Sequence, residues 1–385
     1  MSPALAVVFT AVFDFFAMGV AAPVVQLDLT GSTRGSELIL ALFATTYAAG
    51  LLTGGALGDR YGRRRVLGLG LAGYVASCVL CALAPSAGVL LAGRLAEGTA
   101  AAAMVPPAFA TVSRGARPGL SRLAATLGGA SVTGQVLGAV SASAGGGWRG
   151  LFVVEVAIGT VVLATLRGMP AGAPQVRRRP DPAGLALGVL VPLSMLLPLA
   201  AVRLSDSNPL ALLITVVALP LTLAYRRVLR RVIGRCRRLI FAGWKPLLAA
   251  AATGAAYAGQ TLLTLVSSIR LREDHRDTLI LAAYGASFAI VSLAASALLR
   301  RLPRSFAAAG LVLATAGATL LVRGGAGLVA PLVMCGAAMG MVLPSLVASA
   351  LTGAAPGSAS RASGLMATLQ QLCVATAAAA AGWLR

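Results

Sequence analysis

Long apolar stretches alternate with short polar connections along almost the whole chain. A membrane-spanning helix needs about 20 mostly apolar residues, and thirteen stretches of roughly this length follow one another. They cover residues 4–25, 36–57, 66–84, 88–110, 121–143, 150–167, 183–203, 209–225, 246–268, 278–299, 305–322, 327–351 and 362–384. The pattern predicts an all-α polytopic membrane protein with about 13 transmembrane helices, in a range of 12–14.

Composition supports lipid as the solvent of these helices. The 385 residues are 58% hydrophobic and 11% charged, whereas soluble domains carry about 25% charged residues. The core of one soluble domain cannot bury so many apolar side chains, which argues against a soluble enzyme. The apolar pattern begins at Ala4 without a preceding basic segment, so we expect a first membrane helix and not a signal peptide.

Basic residues predict the orientation of the helices. With a cytoplasmic N-terminus, the alternation puts 23 of the 32 basic residues on the cytoplasmic face and eight on the opposite face. This bias agrees with the positive-inside rule. The abundance of Arg, Ala and Gly is typical of a GC-rich bacterial genome, so we expect a multi-pass protein of the bacterial inner membrane. We assign the basic segment 226–238 to the lipid surface and expect no nucleic-acid partner.

A glycine- and arginine-rich corner, residues 55–65, joins the second and third apolar stretches. Its glycines allow a tight turn, and Asp59, expected at an exposed position, can cap a helix or pair with a base. The corner resembles the cytoplasmic signature between helices 2 and 3 of the major facilitator superfamily. The resemblance implies a conformational gating role for Gly55, Gly58, Asp59, Arg60, Gly62, Arg63 and Arg64.

Charged residues inside the fourth stretch form a second motif. A charge at the centre of the bilayer costs about 2.5–3.5 kcal/mol on insertion scales, so Arg94 needs a partner or a cavity. Glu97 lies three residues later, on the same helical face. The Arg94–Gly98 segment resembles the helix 4 signature of the family, which implies a place in the transport cavity. A purely structural ion pair is the alternative.

Two further acids lie within apolar stretches. Asp14, nine residues before Pro23, resembles the helix 1 signature of the fourteen-helix drug:proton antiporters. The resemblance implies a proton carrier, and a hydrogen-bonded structural Asp is the alternative. Glu155 follows a Trp148–Phe152 segment that resembles the start of the family's helix 6. It stands where the family commonly has Asn, which makes it a candidate second titrating or cation-binding group.

Three features depart from the family pattern. Gln135 replaces the proline of the antiporter signature in the fifth stretch, which bears on the direction of transport and makes Gln135 a cavity candidate. Its flanking residues, Gly134 and Gly138, are predicted to pack closely against a neighbouring helix. The loop at 300–304 keeps little of the first corner, and the fourteenth helix of the family is expected to be missing.

The sequence does not predict a metal site, an enzymatic active site or a cofactor. Cys78 and Cys81 lie in an apolar stretch and are assigned to packing, and His275 to a solvated loop, so we predict no metal site. No pattern suggests a nucleophile and its base. We therefore expect no enzymatic activity and no cofactor, with the proton gradient as the driving force.

These observations predict an N-terminal six-helix bundle over residues 1–168, an inserted helix pair with a basic linker over 169–245, and a five-helix C-terminal bundle over 246–385. The resemblance implies a major facilitator fold with substrate between the bundles and alternating access by rocking. The predicted function is proton-coupled efflux of amphipathic drugs or antibiotics by a monomer in the lipid bilayer. The alternatives are a proton-coupled importer of a small metabolite and a degenerate, non-transporting membrane binding protein.

Overall fold

The computed structural model describes six helices in the first half of the chain and two in the second. The described residues are 2–31, 36–113, 116–143, 147–168, 303–323 and 329–352, with short stretches within 248–259, 283–294 and 364–371. The helices are α1 Pro3–Thr30, α2 Ser36–Tyr61, α3 Arg63–Ala82, α4 Ala87–Ser113, α5 Ala116–Ser143, α6 Arg149–Thr165, α7 Pro303–Arg323 and α8 Val329–Thr352. A single 3-10 turn, Leu166–Gly168, follows α6. All secondary structure within these residues is helical, which confirms the predicted fold class.

Each of the eight helices matches one predicted apolar stretch to within a few residues. The seventh and eighth stretches, and with them the inserted pair over 169–245, lie outside the described residues. The ninth, tenth and thirteenth stretches are described only in part. The division into two bundles and an inserted pair therefore stays a prediction.

Several helices are suited to a membrane by length and composition. Four described segments are long and apolar enough to cross it: Pro3–Ala22, Arg63–Ala82, Ala87–Val112 and Arg149–Gly168. A fifth is added if the two arms of α2, which meet at an angle of 45°, form one bent span. The bend falls just before Gly54 and Gly55. Helices often kink at adjacent small residues. The total of thirteen spans stays a prediction.

Contacts at one end of the first-half bundle join the α2–α3 corner to the ends of two other helices. The Arg63 guanidinium donates to the backbone carbonyl of Ala110 at 3.0 Å, near the end of α4. The Arg64 guanidinium donates to the carbonyl of Arg167 at 2.7 Å, just beyond α6. The two arginines therefore tie the corner to the C-terminal ends of α4 and α6. We call this the Asp59 end.

The opposite end of the bundle, which we call the Asp28 end, has its own contacts. Trp148 donates through Nε1 to a carboxylate oxygen of Asp28 at 2.8 Å, and this links the start of α6 to the end of α1. Arg149 donates to the carbonyl of Ala84 at 3.0 Å, just beyond α3. Together with the contacts at the Asp59 end, these bonds show that successive helices run in opposite directions.

Small residues bring neighbouring helices close together. A side chain at Gly134 or Gly138 of α5 would collide with the backbone carbonyl of Phe13 or Ala17 in α1. The two glycines predicted for helix packing therefore lie at the α1–α5 contact. Gly54 of α2 makes an equally close approach to the carbonyl of Ala102 in α4. In lipid, such approaches gain van der Waals contact between helix backbones.

Candidate functional site

A fully buried ion-pair network lies in the centre of the first-half bundle. The Arg94 guanidinium on α4 binds the Asp14 carboxylate on α1 through two hydrogen bonds, Nη1–Oδ1 at 2.7 Å and Nη2–Oδ2 at 3.1 Å. Its Nη1 also donates to Oε2 of Glu97 at 2.8 Å. All three side chains are 0% exposed. Two-pronged pairs of this kind fix both partners in orientation as well as in charge.

Arg94 also contacts two groups on α2, a backbone carbonyl and an aromatic ring. Its Nε donates to the backbone carbonyl of Ile39 on α2 at 3.3 Å. The Cζ atom of its guanidinium lies 4.4 Å from the centre of the Phe43 ring. A cation above an aromatic face is stabilised by the ring's electron density. Arg94 therefore connects α1, α2 and α4 at one point in the bundle.

A second group of side chains adjoins Glu97 and reaches α3 and α6. The Cys78 sulfur lies 3.3 Å from Oε2 of Glu155 and 3.7 Å from Oε1 of Glu97. The Cys81 sulfur lies 3.8 Å from Oε2 of Glu97. We call Cys78, Cys81, Glu97 and Glu155 the acid–thiol cluster. All four residues are fully buried.

Helix geometry explains how the acid–thiol cluster forms. Residues three or four apart lie on one face of a helix, so Cys78 and Cys81 point the same way from α3, as do Arg94 and Glu97 from α4. Gly93 of α4 is in close contact with the Cys81 sulfur, where a side chain would collide. The absence of a side chain at position 93 therefore lets α3 and α4 approach closely enough for the thiols to reach Glu97.

The structure brings four of the five predicted cavity residues together. Asp14, Arg94 and Glu97 are in direct contact, and Glu155 joins them through Cys78. Gln135 lies apart from them. Its side chain occupies the space that a Cβ at Gly285, in the second half of the chain, would need.

Sequence reasoning missed two members of this site. Cys78 and Cys81 were assigned to packing, although both thiols approach carboxylate oxygens. Their three-residue spacing was the available signal, since it places both thiols on the same helical face. Nothing in the local sequence indicated which residues that face would meet.

The α2–α3 corner contains the tight glycine turn that its sequence predicts. Gly62, between α2 and α3, has a φ of 90°, a conformation that favours glycine because it has no Cβ. Gly58 packs against the ring of Pro107 in α4, with no room for a side chain. Gly55 is buried, and the Arg60 guanidinium lies 5.1 Å from the centre of the Tyr61 ring.

One expectation about the corner is wrong. Asp59 was expected at an exposed position, but only 1% of it is accessible. The close α2–α4 packing at Gly58 buries it, and its carboxylate lies 3.7 Å from the Arg63 guanidinium one turn away. Asp59 is therefore an internal counter-charge for the arginine that binds the end of α4.

Comparisons with known proteins agree with this architecture. The family model described as Major Facilitator Superfamily matches residues 4–378. The chain is 34% identical to the "Probable actinorhodin transporter" of Streptomyces coelicolor over 183 residues. This match covers 45% of this chain and 32% of that protein. The chain is also 33% identical to the "Cephamycin export protein CmcT" of Amycolatopsis lactamdurans over 180 residues. That match covers 45% of this chain and 36% of the relative.

A solved structure shows the same fold over nearly the full length. The human organic anion transporter MFSD10 superposes with a TM-score of 0.62 at 19% identity, over 97% of this chain and 92% of that one. The matches to the two curated relatives span only about a third of their length. The family match nevertheless extends across almost all of the sequence, and the protein is a multi-pass membrane protein that belongs to the Major Facilitator Superfamily.

Proposed function

We propose that this protein is a secondary active transporter that exports amphipathic drugs or antibiotics in exchange for protons by alternating access. The observation that carries the proposal is the fully buried Asp14–Arg94–Glu97 network, which joins α1 to α4. The names of the two curated relatives, a transporter and an export protein, support the direction and the substrate class.

In this proposal, a proton and the Arg94 guanidinium compete for the Asp14 carboxylate. When Asp14 takes up a proton, it loses its charge and its two-pronged pair with Arg94, which keeps its bond to Glu97. The constraint between α1 and α4 is then weaker, and the bundle can adopt its second arrangement. A ligand drives such a change only as far as it prefers one state over the other, and the proton here provides that preference. No cofactor takes part in the coupling.

The contact region between the two halves suits amphipathic substrates. Leu51 and Ala102 of the first half pack with Ala367 of the second, and Phe288 and Met366 join the apolar core of the first-half bundle. Gln135, which faces Gly285, contributes a polar amide at this boundary. A mostly apolar lining with a few polar groups is usual for small-molecule sites.

Asp14→Asn tests the coupling, because asparagine resembles the permanently protonated acid. We expect pH-gradient-driven flux in proteoliposomes to fall to background while substrate binding and downhill exchange remain. Asp28→Asn is the matched control, since Asp28 lies on the same helix but at its half-exposed end. Full coupled flux in Asp14→Asn would refute the role of Asp14. Glu155→Gln, measured in parallel, tests the other predicted carrier.

The proposal also places the Asp59 end in the cytoplasm of a bacterial inner membrane, with the protein as a monomer. The arginines of the corner support this orientation through the positive-inside rule. Ser86 lies at the Asp28 end and Arg65 at the Asp59 end, and both are exposed. An impermeant thiol reagent added to intact cells should label Ser86→Cys and spare Arg65→Cys. The reverse pattern would overturn the orientation.

The α2–α3 corner is proposed to gate the cytoplasmic side. Asp59→Asn removes a buried charge next to Arg63 with little change of shape. We expect slower transport per folded molecule, measured as the initial rate of counterflow and normalised to the amount of folded protein. A wild-type rate would exclude the gating role.

Import of a small metabolite is the second candidate, and Gln135 favours it because it replaces the proline of the antiporter signature. Inverted membrane vesicles separate the two directions. An exporter accumulates substrate inside such vesicles when the gradient is applied, whereas an importer releases it.

A further inference from the structure

We propose that the acid–thiol cluster, formed by Cys78, Cys81, Glu97 and Glu155, binds a thiophilic divalent cation of the zinc and cadmium class. This site goes beyond the proposed transport function and departs from the sequence expectation of no metal. Its residues come from α3, α4 and α6, which pack around one point in the bundle. Sulfur and carboxylate oxygen are both common ligands of Zn²⁺.

The ligand atoms are already close together. One sulfur or oxygen atom from each of Cys78, Glu97 and Glu155 lies within 4.8 Å of the other two. Cys81, one turn further along α3, approaches the second oxygen of Glu97 at 3.8 Å. Three ligand atoms are therefore grouped around one point, and the Cys81 sulfur would have to move toward that point to become a fourth ligand.

With both carboxyl groups ionised, the cluster has too few protons for the contacts that its geometry shows. Cys78 has a single S–H group, yet its sulfur faces one oxygen of Glu155 and one of Glu97. In addition, Oε1 of Glu155 is fully buried and has no hydrogen-bond partner among the described residues. A buried carboxylate oxygen without a donor is costly, and a metal ion would satisfy both carboxylates and the sulfur at once.

The charges in the bundle core also favour a cation. Asp14, Glu97 and Glu155 are three buried acids, and Arg94 is the one base among the described residues that pairs with any of them. When the acids are ionised, negative charge is in surplus where the dielectric constant is low. A divalent ion next to Glu155 would offset that surplus on the side of the cluster away from Arg94.

Arg94 would then act as an outer partner of the ion. It donates to Oε2 of Glu97 and so fixes the direction of this carboxylate, leaving Oε1 facing Cys78. Hydrogen bonds of this kind orient metal ligands and tune their affinity. The network around Asp14 and the acid–thiol cluster would thus share Glu97, whose Oε1 faces Cys78 while its Oε2 faces both Arg94 and Cys81.

Cobalt(II) is a suitable probe because its bonds to thiolate sulfur give charge-transfer absorption that free Co²⁺ lacks. Purified full-length protein in lipid nanodiscs is titrated with Co²⁺ and left to equilibrate, since the ligand atoms are fully buried. We expect a saturable sulfur-to-cobalt band, proton release on binding, and loss of the band on addition of Zn²⁺. No band, with no Zn²⁺ retained after gel filtration, would overturn the proposal.

Variants assign the signal to the cluster. Glu155→Gln and Cys78→Ser should weaken Co²⁺ binding by at least about 10–100-fold, the loss that even outer partners of a metal cause. Cys335→Ser is the matched control, because Cys335 is a buried cysteine of α8 in the second half. Equal loss in Cys335→Ser, or no loss in Cys78→Ser, would assign the binding elsewhere and refute the site. Thermal unfolding of each variant verifies that a lost signal is not a lost fold.

Discussion

The two halves of the molecule bring a pair of helices together through the same contact but surround it with different side chains. In the first half, a side chain at Gly98 of α4 would collide with the carbonyl of Phe43 and the hydroxyl of Thr46 on α2. In the second half, one at Gly336 of α8 would collide with the carbonyl of Tyr284 and the hydroxyl of Ser287. In both cases the hydroxyl lies three residues after the carbonyl.

The difference between the halves appears one helical turn before each glycine. Four residues before Gly98 is Arg94, whereas four residues before Gly336 is Leu332, a buried apolar residue. One residue before each glycine, the first half has Glu97 and the second has Cys335. The same packing geometry therefore holds an ion-pair network in one half and apolar side chains in the other.

The sequence extends this contrast beyond the described residues. Residues 278–385 contain no Asp or Glu, so no carboxyl side chain of that segment can carry a proton. The four buried acids among the described residues, Asp14, Asp59, Glu97 and Glu155, all belong to the first half. The comparison suggests a division of roles, in which the first half binds the coupling ion and the second provides an apolar surface that moves against it.

Replacing Arg94 with leucine, the residue at the equivalent place in the second half, should have the largest effect. Arg94→Leu leaves Asp14 and Glu97 buried without their counter-charge. Breaking a buried pair from one side costs about 3–5 kcal/mol. We expect a loss of this size in the free energy of unfolding, measured by chemical unfolding in mixed micelles.

Two further variants sharpen that test. Combining Arg94→Leu with Asp14→Asn and Glu97→Gln should restore most of the stability, because no unpaired charge remains, while coupled transport stays absent. Leu332→Met in the second half conserves volume and should cost under about 1.5 kcal/mol. If Arg94→Leu is as stable as the wild type, the network is not a determinant of the first-half core.

Gly98→Ala and Gly336→Ala test whether the shared contact is equally important in both halves. Each Cβ would meet a backbone carbonyl, which cannot rotate away. Forcing an extra carbon into a packed interface costs about 1–3 kcal/mol. We therefore expect similar losses of unfolding free energy in the two variants.

Gly19→Ala provides the control for the two glycine substitutions. Gly19 lies within α1, and nothing is within 4 Å of a Cβ built there. Alanine should stabilise this helix by about 0.5–1 kcal/mol, because glycine loses more backbone freedom on folding. A loss confined to Gly98→Ala would show that the two contacts are not equivalent.

The helices were predictable because lipid imposes length and apolar composition on each of them. The stretch 305–322, for example, became Pro303–Arg323. The turn at Gly62 was predictable for a related reason, since local sequence determines which residues can adopt a positive φ. Features that depend on one helix and its immediate connections were therefore accessible from the pattern alone.

The site was only partly predictable, because its pairs join distant residues. Glu97 was identified as a partner of Arg94 from its three-residue spacing, but Asp14 lies 80 residues from Arg94. Only the packing of α1 on α4 brings these two together. In the same way, α2 packs closely on α4 next to Asp59, where Gly58 meets Pro107, and no feature of the corner itself reveals this contact.

The smallest expected effect concerns the two hydroxyl groups at the shared contact. Thr46 donates to the carbonyls of Leu42 and Phe43 at 3.0 and 3.2 Å, and Ser287 donates to that of Tyr284 at 2.8 Å. These bonds stay within one helix, and a typical hydrogen bond contributes about 0.5–1.5 kcal/mol net. Because alanine is also the better helix former, Thr46→Ala and Ser287→Ala should each change the unfolding free energy by under about 1 kcal/mol.

Combining each hydroxyl substitution with the glycine substitution of its own half measures the coupling across the contact. Removing the hydroxyl leaves the carbonyl collision in place, so the double variants should recover only part of the loss, and by similar amounts in both halves. Full recovery in one half alone would show that the hydroxyl, and not the backbone, limits the helix approach there.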